Sequence, residues 1–200
     1  MAVVEWTMMR AVALPAEAAA AVRRRAAKAI STTTSRFEDV TAIERLSAAD
    51  HAVVGRLLLE AYTDYAERMG TEWPRLRDGL VHAAERLTDA EVGGVRGPSA
   101  LEAVVFYFAP GKSDGLIFPR DWASLRLLGV APAARGRGLS RCLTEWCIER
   151  ARVDKATRLG LHTSEAMTTA RGLYERMGFV VDGELPMNFG LRYWRFRLDL

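Results

Sequence analysis

Apolar and polar positions along the 200-residue chain repeat with two alternating periods. Residues 40–46 read as a first strand. Behind a capping-box-like start at Ser47 and Asp50, residues Val53, Val54, Leu57, Leu58, Ala61 and Tyr65 recur at helical spacing. A second helix follows Pro74, with Leu76, Leu80, Ala84 and Leu87 turned inward. Residues 91–95 and 101–109 form a hairpin around Gly97 and Pro98, and the stretch 111–115 (GKSDG) reads as a loop. The pattern then predicts a strand over 122–130, a helix from Leu139 to about Val153, a strand over 157–163, a helix within 166–179, and one last strand. In that strand Trp194, Phe196, Leu198 and Leu200 alternate with Tyr193, Arg195, Arg197 and Asp199, which predicts one buried sheet face. The order is that of an alternating α/β domain, with no repeat or linker to divide it.

The segment 127–143, LLGVAPAARGRGLSRCL, joins a strand to a helix through a turn suited to an anion. Pro132 ends ladder pairing, and Gly136 and Gly138 accept backbone geometry that other residues resist. Leu139, Cys142, Leu143, Trp146 and Cys147 then share a helical face. The N–H groups just before them are the unpaired donors of a helix start, which carries about half a positive charge. Arg135 and Arg137 add cations and Ser140 a hydroxyl, so the turn reads as a pyrophosphate cradle. Two common phosphate motifs do not fit it. No lysine lies between Lys112 and Lys155 to complete a P-loop, and the Gly-Arg-Gly is followed by Leu139, Ser140 and Arg141, not by the third glycine of a dinucleotide fingerprint.

The cradle resembles the acetyl-CoA motif of the GNAT superfamily of N-acetyltransferases: Arg or Gln, two residues, Gly, one residue, then Gly or Ala. Arg135, Gly138 and Ser140 stand at those places, with Ser140 the small departure, and Val130 and Pro132 precede them in the usual spacing. A second block, AMTTARGLYERMGF over 166–179, resembles the family's later helix through Ala170, Leu173, Tyr174, Gly178 and Phe179. Met167 stands where many members carry an Asn that contacts the pantetheine arm. The resemblance runs from about Asp39 to Leu200. It implies the GNAT (acyl-CoA N-acyltransferase) fold, an α/β domain with a mixed central sheet flanked by helices and splayed open beside the strand that precedes the cradle.

The resemblance also implies an acetyl-CoA-dependent N-acetyltransferase that passes an acetyl group to an amine of a small molecule or protein by direct attack in a ternary complex. Acetyl-CoA would be held by Leu128, Gly129, Val130, Arg135, Gly136, Arg137, Gly138, Leu139 and Ser140, and Tyr174 would protonate the departing thiolate. Periodicity alone leaves Tyr174 open as a core residue on the face of Met167, Ala170, Leu173 and Met177. No carboxylate accompanies Trp122, Ser124 and Arg126 on the strand face of Leu128, so the sequence does not identify the base; His162 and water relayed through backbone carbonyls are the candidates. The acceptor is expected to be set by the loop around 68–74 and by 185–189. Glu60, Asp64, Glu67 and Glu72 either favour a cationic amine or form the wet face of two helices, the reading preferred here. The alternative function is a catalytically silent acyl-CoA-binding sensor or interaction module of the same fold.

Composition narrows the remaining choices. The net charge of +3 is uneven: residues 1–36 hold six basic and two acidic residues, so the rest of the chain is slightly acidic. The basic character belongs to that segment, expected to be a flexible extension before a domain over 37–200; a targeting peptide or an upstream start codon, with Met8 or Met9 as the true start, are the other readings. A nucleic-acid binder needs its cations on a folded face with interleaved aromatics, so that class ranks last. No apolar run reaches about 18 residues, and no membrane partner is expected. Cys142 and Cys147 read as packing residues of a reducing, cytoplasmic compartment, and the dispersed His51, His82 and His162 predict no metal. A homodimer is left open.

Overall fold

The computed structural model describes residues 43–113 and 115–200. The expectations for the basic segment 1–36 and for the start of a strand at residue 40 lie outside these. Ser47 opens the first helical stretch as its sequence predicts: its N–H and its hydroxyl both donate to Asp50 Oδ2, at 2.8 and 3.0 Å. A 3-10 turn over Ala48–Asp50 then leads into helix α1, His51–Tyr62. Beyond it lie α2 (Ala66–Met69), α3 (Trp73–Val81), α4 (Ala83–Arg86), α5 (Leu139–Val153) and α6 (Thr168–Arg176).

The strands are β1 (Glu44–Arg45), β2 (Glu91–Arg96), β3 (Leu101–Phe108), β4 (Ala123–Val130), β5 (Arg158–Ser164), β6 (Val180–Asn188) and β7 (Leu191–Asp199). They form one sheet in the order β1-β2-β3-β4-β5-β7-β6, antiparallel throughout except for the parallel pair β4 and β5. Strand β3 is central and buried on both faces, which explains its unbroken apolar run. Ala103, Val105 and Tyr107 join Leu143, Cys147 and Ala151 of α5 in one core. Val104, Phe106 and Phe108 join Leu57, Leu58, Leu76 and Leu80 of α1 and α3 in the other. Truncating a side chain such as Leu143, fully buried in the first core, costs about 2–5 kcal/mol.

Three expectations need correction. The first helix ends at Tyr62 and passes through a 3-10 turn, and the second divides at His82, so neither runs as far as its apolar spacing. The single last strand is a hairpin of two. Strand β6 escaped notice because it is the sheet edge: Val180, Val181 and Met187 are exposed, two register shifts interrupt it, and Pro186 stands where an edge tolerates a missing donor. Finally, β7 packs residues of both its faces, although Arg192 near its start is exposed. Leu191 and Tyr193 pack into the α1 and α3 core while Trp194, Phe196 and Leu198 belong to the α5 side.

Candidate active site

Strand β4 creates the site by leaving its neighbour. It pairs with β5 only at Ala123 to Leu159 and Ser124 to Gly160, so from Leu125 onward the sheet is open on that side. Against β3 it pairs Arg126 with Phe106 and Gly129 with Val104, which leaves Leu127 and Leu128 opposite the single residue Val105. This β-bulge places Leu127 at φ +51°, a conformation that costs a leucine about 1 kcal/mol and that clusters at functional sites. Two contacts hold the bulge. The Tyr62 hydroxyl donates to the Leu128 carbonyl at 3.4 Å, and Gly129 brings β4 so close to α1 that a Cβ there would press on Leu58 and Ala61.

Past Val130 a 3-10 turn over Pro132–Ala134 delivers the glycine turn. Gly136 and Gly138 both have positive φ, +78° and +82°, and a Cβ on either would project into open space. Gly138 caps α5, whose first backbone bond runs from the Cys142 N–H to the Gly138 carbonyl at 3.1 Å. The N–H groups of Leu139, Ser140 and Arg141 in the first turn are therefore available to an anion, and these residues line the cavity. The arginine side chains behave differently from a pair of loose cations. Arg135 is a strut, donating to Asp64 Oδ2 at 2.5 Å and to the Ala61 carbonyl at 3.2 Å, and so ties the turn to the end of α1. Arg137 pairs with Glu102 at 2.8 Å and is not among the lining residues, while Arg141 pairs with Glu145. The turn suits a diphosphate mainly through backbone donors and the absence of side chains.

The notch and the turn open into one cavity of about 610 Å³. Of the residues singled out from sequence, it brings together Leu128, Gly129, Val130, Arg135, Gly136, Gly138, Leu139, Ser140, Tyr174 and His162, and Met167 lines it too. Tyr174 is buried on α6, edge-on to Phe179 with ring centroids 5.8 Å apart. Burial first, then the neighbouring Cys147 and Tyr65, pushes its phenol above the ordinary tyrosine value, so it stays protonated. His162 on β5 lies between Phe118 and Tyr193, at 6.0 and 5.9 Å between centroids. Of the four acidic residues near the cleft, Asp64 alone lines the cavity, and Glu72 pairs with Arg75.

Sequence reasoning missed the other aromatic residues. Tyr62 and Tyr65 meet edge-to-face at 6.0 Å, and Tyr193 reaches the same space from β7. Burial raises the pKa of all three. Arg126 lines the cavity as well, with its guanidinium 5.2 Å from the Phe108 ring and 5.4 Å from the Phe118 ring. The available signal was the spacing of Tyr62 and Tyr65, three apart at a helix end; nothing local places Tyr193 beside them. The loop expected to flank the acceptor end contributes no residue to the cavity lining, whereas Asn188 and Phe189 of the β6–β7 hairpin do line it. Arg75, just after that loop, donates to Asn188 Oδ1 at 2.9 Å and covers the Phe189 ring at 4.2 Å.

Comparison with known proteins agrees with this geometry. Residues 100–179 match the acetyltransferase (GNAT) family. Mycothiol acetyltransferase of Beutenbergia cavernae is 35% identical over 83 residues, 42% of this chain, and the chain spans only 25% of that protein's length. Among the solved structures that share the fold are two acetyltransferases. One is yncA of Salmonella typhimurium with its cofactor acetyl-CoA, at 20% identity and TM-score 0.58, covering 81% of this chain and 95% of that one. The other is the ribosomal-protein-S18-alanine N-acetyltransferase of Escherichia coli, at 18% identity and TM-score 0.58, covering 79% and 92%. The matched residues run from β3 through the bulged strand, the glycine turn and α6, and over them the chain is similar to the GNAT acetyltransferase family and has the fold of these acetyltransferases.

Proposed function

We propose that the chain transfers an acetyl group from acetyl-CoA to a primary amine by direct attack within a ternary complex. One observation carries the reading: the notch left where β4 parts from β5 runs straight into the glycine turn at the α5 N-terminus. A pyrophosphate bound at the turn would send its thioester arm along Leu128, Gly129 and Val130. Acetyl-CoA supplies an acyl group already activated as a thioester, so the chain's own residues need only orient it and manage protons. A backbone N–H of the bulged strand aimed at the carbonyl oxygen would stabilise the charge that develops there by ~3 kcal/mol. As the amine nitrogen bonds to the carbonyl carbon and the carbon–sulfur bond breaks, the Tyr174 hydroxyl gives its proton to the leaving sulfur. His162, directly or through water, takes the proton that the amine must lose. Burial keeps the Tyr174 hydroxyl in its protonated form until the thiolate forms.

Thermal unfolding with and without acetyl-CoA tests the cofactor. At about 100 times the dissociation constant the ligand adds ~2.7 kcal/mol, a rise of roughly 5–10 °C for a domain of this size. Tyr174→Phe is expected to keep that rise and lose about 100-fold in kcat. A full rise in the wild type with no turnover of any amine would favour the silent acyl-CoA binder, and no rise at millimolar acetyl-CoA would end both readings.

A further inference from the structure

The far end of the cavity is walled by rings. Tyr62 and Tyr65 stand edge-to-face, Tyr193 lies against His162, and Leu76 and Phe189 complete the wall. Phe189 is held there against its backbone preference. It sits at φ +50° in the β6–β7 turn, followed by Gly190 at +71°, a region that a bulky residue occupies at a cost. Two groups keep it in place: Asn188 Oδ1 accepts the Phe189 N–H at 3.1 Å, and the same oxygen accepts from Arg75, whose guanidinium covers the ring. Strain retained at a cavity mouth points to a use for the ring itself.

We propose that this end of the cavity takes a primary amine carried on a flat apolar group, an arylalkylamine, and that Phe189 sets the preference. The proposal rests on the acetyl-transfer reading above. An aryl group entering among these rings meets edge and face partners at the separations aromatic pairs favour, and it buries apolar area on both sides. A polyamine fits poorly. Each further ammonium would need a carboxylate, and among the described residues lining the cavity the carboxylate is Asp64, already bound by Arg135.

The test uses the full-length protein saturated with CoA, which fills the cofactor end without allowing transfer. Phenethylamine, butylamine and spermidine are titrated by calorimetry against wild type and Phe189→Gly; glycine accepts the φ of this turn, so the variant keeps the hairpin. Phenethylamine should bind wild type about tenfold tighter than butylamine, with spermidine no tighter than butylamine. In Phe189→Gly that preference should vanish while CoA affinity is unchanged. Equal binding of the aryl and alkyl amines overturns the proposal. So does tighter binding of spermidine, no amine binding to the CoA-loaded protein, or a preference that survives in Phe189→Gly. Failure of CoA itself to bind is read separately, before any amine is added, and would remove the cofactor reading first.

Discussion

At the scale of single residues, the anion turn relies on missing side chains more than on charged ones. Arg135 and Arg137, the obvious cations of the sequence, are each spent on a carboxylate, Asp64 and Glu102. Gly136 and Gly138 keep open the space that a phosphate would fill. Gly138→Ala is the sharpest probe. Its φ of +82° makes any L side chain strained by ~1–2 kcal/mol, and the added Cβ meets no protein atom within 4 Å because it points into the space of the turn. The expected outcome is a protein that still folds, melts a few degrees lower, and binds acetyl-CoA about tenfold more weakly by calorimetry. Unchanged affinity would mean that the diphosphate lies elsewhere. Leu127 adds to the same theme: its positive φ was hidden in an ordinary apolar strand pattern, because a bulge is produced by pairing and not by composition.

At the scale of elements, the site depends on how closely α1 is pressed against its surroundings. Gly55 on α1 faces the end of α3, where a Cβ would come within 2.2 Å of the Val81 carbonyl oxygen, a backbone atom with nowhere to move. Gly55→Ala should therefore cost about 1–3 kcal/mol in urea unfolding. It should also weaken acetyl-CoA binding, because α1 carries Ala61 and leads into Asp64, the two anchors of Arg135. A loss of stability with full affinity would separate the helix contact from the strut. Elements with strong periods were legible from the chain alone: α5 begins and ends where Gly138, Leu139 and Val153 indicate, and β3 is where an unbroken apolar run belongs. Short motifs pointed to the glycine turn and to α6, and of their residues Arg135, Gly136, Gly138, Ala170, Leu173 and Tyr174 line one cavity while Arg137 does not. Strand β6 was not legible, since an exposed edge with Gly183 and Pro186 has no period to read. The tyrosine wall was not legible either, because Tyr62 and Tyr193 are brought together by two packed layers and not by spacing.

For the described domain as a whole, the same packing leaves a global signature in its response to base. Every tyrosine of the chain, Tyr62, Tyr65, Tyr107, Tyr174 and Tyr193, is held above the ordinary phenol value, with burial the first cause in each case. Tyr107 also donates to Asp154 Oδ2 at 2.7 Å, a bond that needs the proton. The sign follows from where protons are kept. Above about pH 10 the unfolded chain releases phenol protons that the folded chain retains, so the phenols' contribution to stability is complete below that pH and is lost as pH rises. Each tyrosine that ionises only after unfolding, as the buried Tyr174 must, steepens the fall by ~1.4 kcal/mol per pH unit. The thiols of Cys142 and Cys147, which burial also raises, add to the fall from a lower pH, while Lys28, Lys112 and Lys155 are the only lysines and arginine keeps its charge. Absorbance of tyrosinate near 295 nm and far-ultraviolet circular dichroism should therefore change together, in one steep transition above pH 10. Binding at the cavity should move that transition, since a ligand that prefers the folded state raises the pH at which it is lost. If tyrosinate instead grows in gradually near pH 10 while the helical signal persists, water already reaches the phenols, and the burial that holds them protonated would not exist in solution.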